Sequence, residues 1–165
     1  MDTSAIERVA LMSIKPQFAL AILDGTKNIE FRKRRLAPDI STVIIYATLP
    51  IGSVIGTFTV AAYDEDRPTP LWERHRQHAG ISRQAYRDYY KNSQRAVGIM
   101  VDKPFTLPEP IPLLELSDGV RPPQSFSYLD WSDLCAELRR DIALFSHARE
   151  TKIQIDTPKL IGAGS

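Results

Sequence analysis

The sequence predicts an α+β domain, a small mixed β-barrel with flanking helices and a C-terminal helical extension. Three observations carry that expectation. Short stretches rich in Val, Ile, Thr and Phe alternate with turn residues, as in small closed barrels. Two segments repeat their apolar residues at helical spacing. The composition, 43% hydrophobic and 25% charged over 165 residues, is that of one globular domain with a real core. Residues 1–165 therefore read as a single domain, with a core over about 11–126, a helix over about 130–146 and a loose tail over 151–165. No internal repeat is visible.

The elements follow in order. Leu11 to Ile14 reads as a short strand, and Pro16 suits the first position of a helix running to about Asp24. Phe18, Ala19, Ile22 and Leu23 give that helix an apolar stripe, and Gly25 can take the left-handed conformation that ends it. In the strand that follows, Ile29 and Phe31 alternate with Asn28, Glu30 and Arg32, so the apolar pair faces the core and the polar side chains share the other face. Thr42 to Thr48 and Gly52 to Tyr63 read as neighbouring strands, Pro70 to Lys91 as charged helix and Ala96 to Asp102 as a further strand. Six prolines between Lys103 and Pro123 point to an extended arm wrapping the barrel, with Leu113 to Leu116 as a short edge strand. A last helix starts near Asp130 and presents Trp131, Leu134, Cys135, Leu138, Ile142 and Phe145 along one side.

Charge and cysteine content exclude several classes. Basic and acidic residues nearly cancel, 21 against 20, so capture of nucleic acid by a whole-protein field is not expected. Any phosphate contact must come from local clustering. Cys135 is the single cysteine, which excludes an internal disulfide framework or a multi-cysteine zinc site and fits a reducing, cytoplasmic setting. No apolar run approaches the roughly 18 residues that span a bilayer, and the first residues lack a signal-peptide core, so neither membrane nor secretion is expected.

The strongest local cluster surrounds the second strand. Lys27 and Arg32 to Arg35 set five positive side chains against Asp24 and Glu30, a local excess of three. Such a run is either a phosphate footprint or a solvated face. Glu30 and Arg32 either line a polar concavity or pair with each other on an exposed strand. Tyr46 either stacks on a base or packs in its strand. Tyr86, Tyr89 and Tyr90 with Arg83, Arg87 and Lys91 form a patch that either flanks that concavity or, as the first reading, is a half-buried amphipathic helix. The run Asp64 to Asp66 reads as a solvated loop, and His75 and His78 lack a third ligand, so no metal and no cofactor are expected. Cys135 reads as a core thiol.

Several linked motifs resemble one family. Ser13-Ile14-Lys15-Pro16, then Gly25-Thr26-Lys27-Asn28-Ile29-Glu30-Phe31-Arg32, then Ile45-Tyr46-Ala47-Thr48-Leu49-Pro50 and Val54-Ile55-Gly56, resemble the ASCH family and its G-x-K-x-x-E-x-R signature. Pro122 to Phe126 resembles the C-terminal segment of bacterial ASCH proteins of regulatory role. The resemblance implies a PUA-like barrel with a cleft beside the motif that holds RNA, a single-stranded nucleic acid or a nucleoside or nucleotide. Together with the charge cluster, it makes Lys15, Lys27, Glu30, Arg32, Lys33, Arg34, Arg35, Tyr46, Gln124 and Ser125 the candidate residues of that cleft. Binding without catalysis, in the manner of a transcriptional regulator, is the first reading.

The second reading is an enzyme, because some ASCH-like proteins resemble nucleoside amidohydrolases or are proposed to cleave RNA. Those amidohydrolases pair the motif lysine with a threonine three residues on and with a distant glutamate. Here Lys27 is followed by Glu30, while Gln84 stands where the distant acid is expected, or Asp88 if the register shifts by a turn. Lys27 and Glu30 are then the candidate catalytic pair, with Glu30 as the base. A third reading, a protein-interaction module, rests on the proline-rich arm.

Overall fold

The second strand shows how local patterning and packing combine. In the computed structural model, which describes residues 6–155, all four residues of Ile29–Arg32 are buried. Ile29 and Phe31 lie with Leu71, Trp72, Tyr86 and Tyr90 in an apolar cluster. Alternation then sends Glu30 and Arg32 to the opposite face.

The elements are β1 (Arg8–Ile14), α1 (Pro16–Asp24), β2 (Ile29–Arg32), β3 (Thr42–Ala47), β4 (Ser53–Asp66), α2 (Pro68–His75), α3 (Arg83–Tyr89), β5 (Ala96–Ile111), α4 (Leu113–Leu116), β6 (Phe126–Asp130) and α5 (Ala136–Ile155). The strands form one six-stranded mixed sheet in the order β2-β5-β4-β3-β1-β6. Only the β1–β3 pair is parallel, with Leu11 opposite Ile44 and Ser13 opposite Tyr46. The fold is α+β, as the sequence predicts. No helix among the described residues is long and apolar enough to cross a membrane.

Both faces of the central strands are covered. Ala10, Met12, Ile14, Val43 and Ile45 pack with Phe58, Ile99 and the α1 residues Ala19 and Ile22. Val9, Leu11, Ile44 and Tyr46 pack on the other face with Leu134, Leu138 and Ile142. Burial on two sides explains why β1 and β3 read as near-continuous apolar runs.

Five local expectations are corrected. The first half of the expected arm is instead strand, because Pro104, Pro108 and Pro110 lie inside β5. β2 pairs with β5 only between Val97 and Met100, so beyond that point one side of β5 is an edge. The prolines also coincide with register shifts against β4, the irregular positions where a residue without an N–H is tolerated in a strand. Leu113–Leu116 is a single helical turn, since Pro112 sets its entry and the Glu115 and Leu116 N–H groups bond to the Pro112 carbonyl. Asp64 to Asp66 belong to β4, held by ladder pairing to β5 and by Arg74. Phe126–Asp130 is a strand paired to β1, so α5 starts at Ala136 after a 3-10 turn at Trp131–Asp133. α5 also runs to Ile155, five residues into the stretch expected to be loose, and residues 156–165 lie outside the described residues.

Candidate functional site

The site begins with how α1 ends. Gly25 adopts φ 86° and donates its N–H to the Ile22 carbonyl, the left-handed cap that a β-carbon would strain. Thr26 is pinned by its N–H and hydroxyl to Asp24, at 2.8 and 2.6 Å. The Lys27 N–H then bonds back to Ala21, turning its side chain inward. Lys27 is 2% exposed, not a loop cation reaching for solvent. Its Nζ donates to the Ala79 carbonyl at 2.6 Å, lies 3.6 Å from Glu30 Oε2 and sits over the Phe18 and Phe31 rings. Gly80, at φ 61°, packs its backbone on the lysine stem, where a β-carbon would meet Lys27 Cβ at 2.7 Å. Burial holds the Lys27 ammonium below the usual lysine range, against the opposing pull of Glu30.

Glu30 stands between two cations. Its Oε1 accepts from Arg32 Nη2 at 2.9 Å. Arg32 Nη2 also donates to the Ser13 carbonyl of β1, and Nη1 donates to the Ser125 hydroxyl and carbonyl just before β6. β2 and β6 are the two ends of the strand order, so this one guanidinium joins the ends of the sheet. Its fork geometry lets it do so with a single planar group. Arg32 Nε remains buried without a hydrogen-bond partner.

The triad of Lys27, Glu30 and Arg32 lines a concavity of about 420 Å³, with Lys15, Phe18 and Thr48 on its walls. A second hollow of about 370 Å³, lined by Lys33, Arg34 and Ser125, shares Arg32, Tyr89 and Gln124 with the first. Tyr89 is 39% exposed. The Lys33 ammonium lies 5.2 Å from the centre of its ring. Partial burial raises the Tyr89 hydroxyl above the ordinary tyrosine range, which keeps it a proton donor. An exposed ring flanked by cations and by the Gln124 amide is the surface that a stacked base and its phosphates require.

The structure brings Lys15, Lys27, Glu30, Arg32, Lys33, Arg34, Gln124 and Ser125 together around these hollows. Arg35 turns away, pairing with Glu65 at 3.1 Å and lying over the Tyr63 ring. Tyr46 is 6% exposed in the cluster beneath α5 and lines neither hollow. Its place on β3 gives it the packing role because α5 covers that face. Gln84 donates to Asp88 on a different side of α3, so neither supplies an acid to the Lys27 cleft. His75 is held by Asp64 at 2.6 Å, and no group of three or more His, Cys, Asp or Glu side chains suited to a metal occurs among the described residues. The sequence allows the Tyr86, Tyr89 and Tyr90 patch to flank the cleft, and of these three the structure brings Tyr89 to its lining.

No family model matches the chain. The ASCH domain-containing ribonuclease of Zymomonas mobilis is 36% identical over 126 residues, which cover 73% of this chain and 83% of that protein. A crystal structure of ASCH from Zymomonas mobilis matches with a TM-score of 0.72 at 34% identity, over 82% of this chain and 94% of that one. A tyrosine-to-phenylalanine variant of the same protein matches with a TM-score of 0.72 at 33% identity, over 82% and 97%.

Proposed function

The chain belongs to the ASCH domain family, and from that premise we propose that it binds single-stranded RNA in the cleft between β2, α3 and the segment before β6. One observation carries the reading: the exposed Tyr89 ring stands where the two hollows meet, with Lys33 over it and Arg32 and Gln124 beside it. A base stacks on Tyr89, the neighbouring phosphates meet Lys33, Arg34 and Lys15, and Gln124 and Ser125 offer amide and hydroxyl groups to base or ribose edges. Glu30 does not read the ligand directly. It holds Lys27 and Arg32 in place, and Arg32 in turn fixes Ser125. The relative's ribonuclease name supports RNA over a free nucleoside as the ligand. The lone Cys135 fits a reducing cytoplasm as the place where that RNA is met.

The second reading is cleavage of the bound RNA. It rests on the relative's name and on the Lys27 amine, whose burial favours the neutral form that can take up a proton. The test of both is one titration. A labelled single-stranded RNA is bound by the wild type and by the Lys33→Gln/Arg34→Gln variant at several salt concentrations, and the same samples are resolved for shorter products. Each lost phosphate contact flattens the slope of log affinity against log salt by about 0.7, so the variant is expected to lose about 1.4. Equal slopes would remove the cleft as the RNA site. Intact RNA after long incubation would leave binding without cleavage.

A further inference from the structure

Arg83, Arg87 and Lys91 take no part in the cleft. Arg83 and Arg87 lie about 6 Å apart along α3, Lys91 follows in the turn after it, and all three line one hollow. All three are exposed, and they border a hollow of about 530 Å³ whose aromatic residues, Trp72, Tyr86 and Tyr90, are buried. Arg8, Arg35 and Arg74 are each committed to a carboxylate. Among the described residues no ion pair holds Arg83, Arg87 or Lys91. Asp88, the one acid in the hollow, accepts from the Gln84 amide at 2.9 Å.

The hollow therefore offers cations without an open ring on which a base could stack. That combination recognises a sugar-phosphate backbone and is indifferent to sequence. Its position connects it to the cleft, because Ala85 and Tyr89 of the same helix line the concavity around Lys27. Lys91 follows Tyr89 by two residues, at the end of α3. We infer that an RNA strand held in the cleft continues round the C-terminal end of α3 and lays its phosphates along Lys91, Arg87 and Arg83. This rests on the reading of the cleft as an RNA site and extends it from a base pocket to a groove several nucleotides long. The repeat of one cation per helical turn is of the same order as the phosphate repeat of an extended single strand. Phosphates can then be met in succession.

The experiment compares RNA lengths. Wild type, the Arg83→Gln/Arg87→Gln/Lys91→Gln variant and Lys91→Gln alone are titrated with a dinucleotide and with a single-stranded RNA of about 12 nucleotides, within the span such grooves take. Since the three side chains are exposed, matching thermal unfolding of all proteins is the folding control. The tract predicts that the dinucleotide binds all three proteins alike, while for the longer RNA the salt slope falls by about 0.7 in Lys91→Gln and by about 2 in the triple variant. An unchanged slope and affinity for the longer RNA in the triple variant would overturn the tract and leave the cleft standing. Equal loss for both RNAs would also overturn it, by placing these cations in the cleft itself. Failure of wild type to bind either RNA would overturn the cleft reading and the tract with it.

Discussion

Lys27 carries its ammonium into a space where the Ala79 carbonyl and the Glu30 carboxylate answer it, between the Phe18 and Phe31 rings. Burial depresses its pKa below the ordinary 10.5, so between the two values the unfolded chain binds more protons than the folded one. Stability from this group therefore rises with pH across that window. Above about pH 10 the slope reverses, because unfolded tyrosines ionise while burial keeps Tyr86 and Tyr90 protonated in the fold. On the approach to about pH 10 the wild type is expected to show a rise in urea midpoint, and Lys27→Met is expected to flatten it. The same rise in both proteins would mean that the ammonium is not its source. The side chains of the G-x-K-x-x-E-x-R motif were identifiable from their spacing, but their burial was not. Burial depends on Ala79, Gly80 and Ser125, which lie far along the chain and carry no local signal.

α1 and α5 show which elements a sequence announces. α1 was readable end to end, since Pro16, the apolar stripe and the Gly25 cap all act within the helix itself. The docking face of α5 was readable from Leu134, Leu138 and Ile142, though its first turn was misplaced because the tight turn at Trp131–Asp133 resembles a helix start. β5 was cut short because proline tolerance depends on which strand edge has a partner, and that is fixed by β2 and β4 rather than by β5. Leu138 is fully buried between α5 and the sheet. Leu138→Ala is therefore expected to cost about 2–5 kcal/mol in chemical unfolding, the range for a large-to-small change in a packed core. A midpoint within error of the wild type would show that α5 docks without that contact.

At the scale of the whole molecule, the cleft exists because the sheet curls. Arg32 at one end of the strand order meets Ser13 on β1 and Ser125 before β6 at the other, and α3 closes the gap with Tyr89. Its components thus come from three distant parts of the sequence: the basic run next to β2 stands out by charge alone, whereas which tyrosine of the α3 patch reaches the cleft depends on how α3 packs. Arg35, inside that run, is taken by Glu65 at the end of β4. Ultraviolet crosslinking of the protein to a single-stranded RNA bearing photoreactive uridines, with the adducts mapped by peptide mass spectrometry, locates the bound strand directly. Adducts on Tyr89 and on the peptides carrying Lys33 and Gln124 are the expected result. Adducts confined to the α5 face around Phe145, or none at saturating RNA, would contradict the assignment of the cleft.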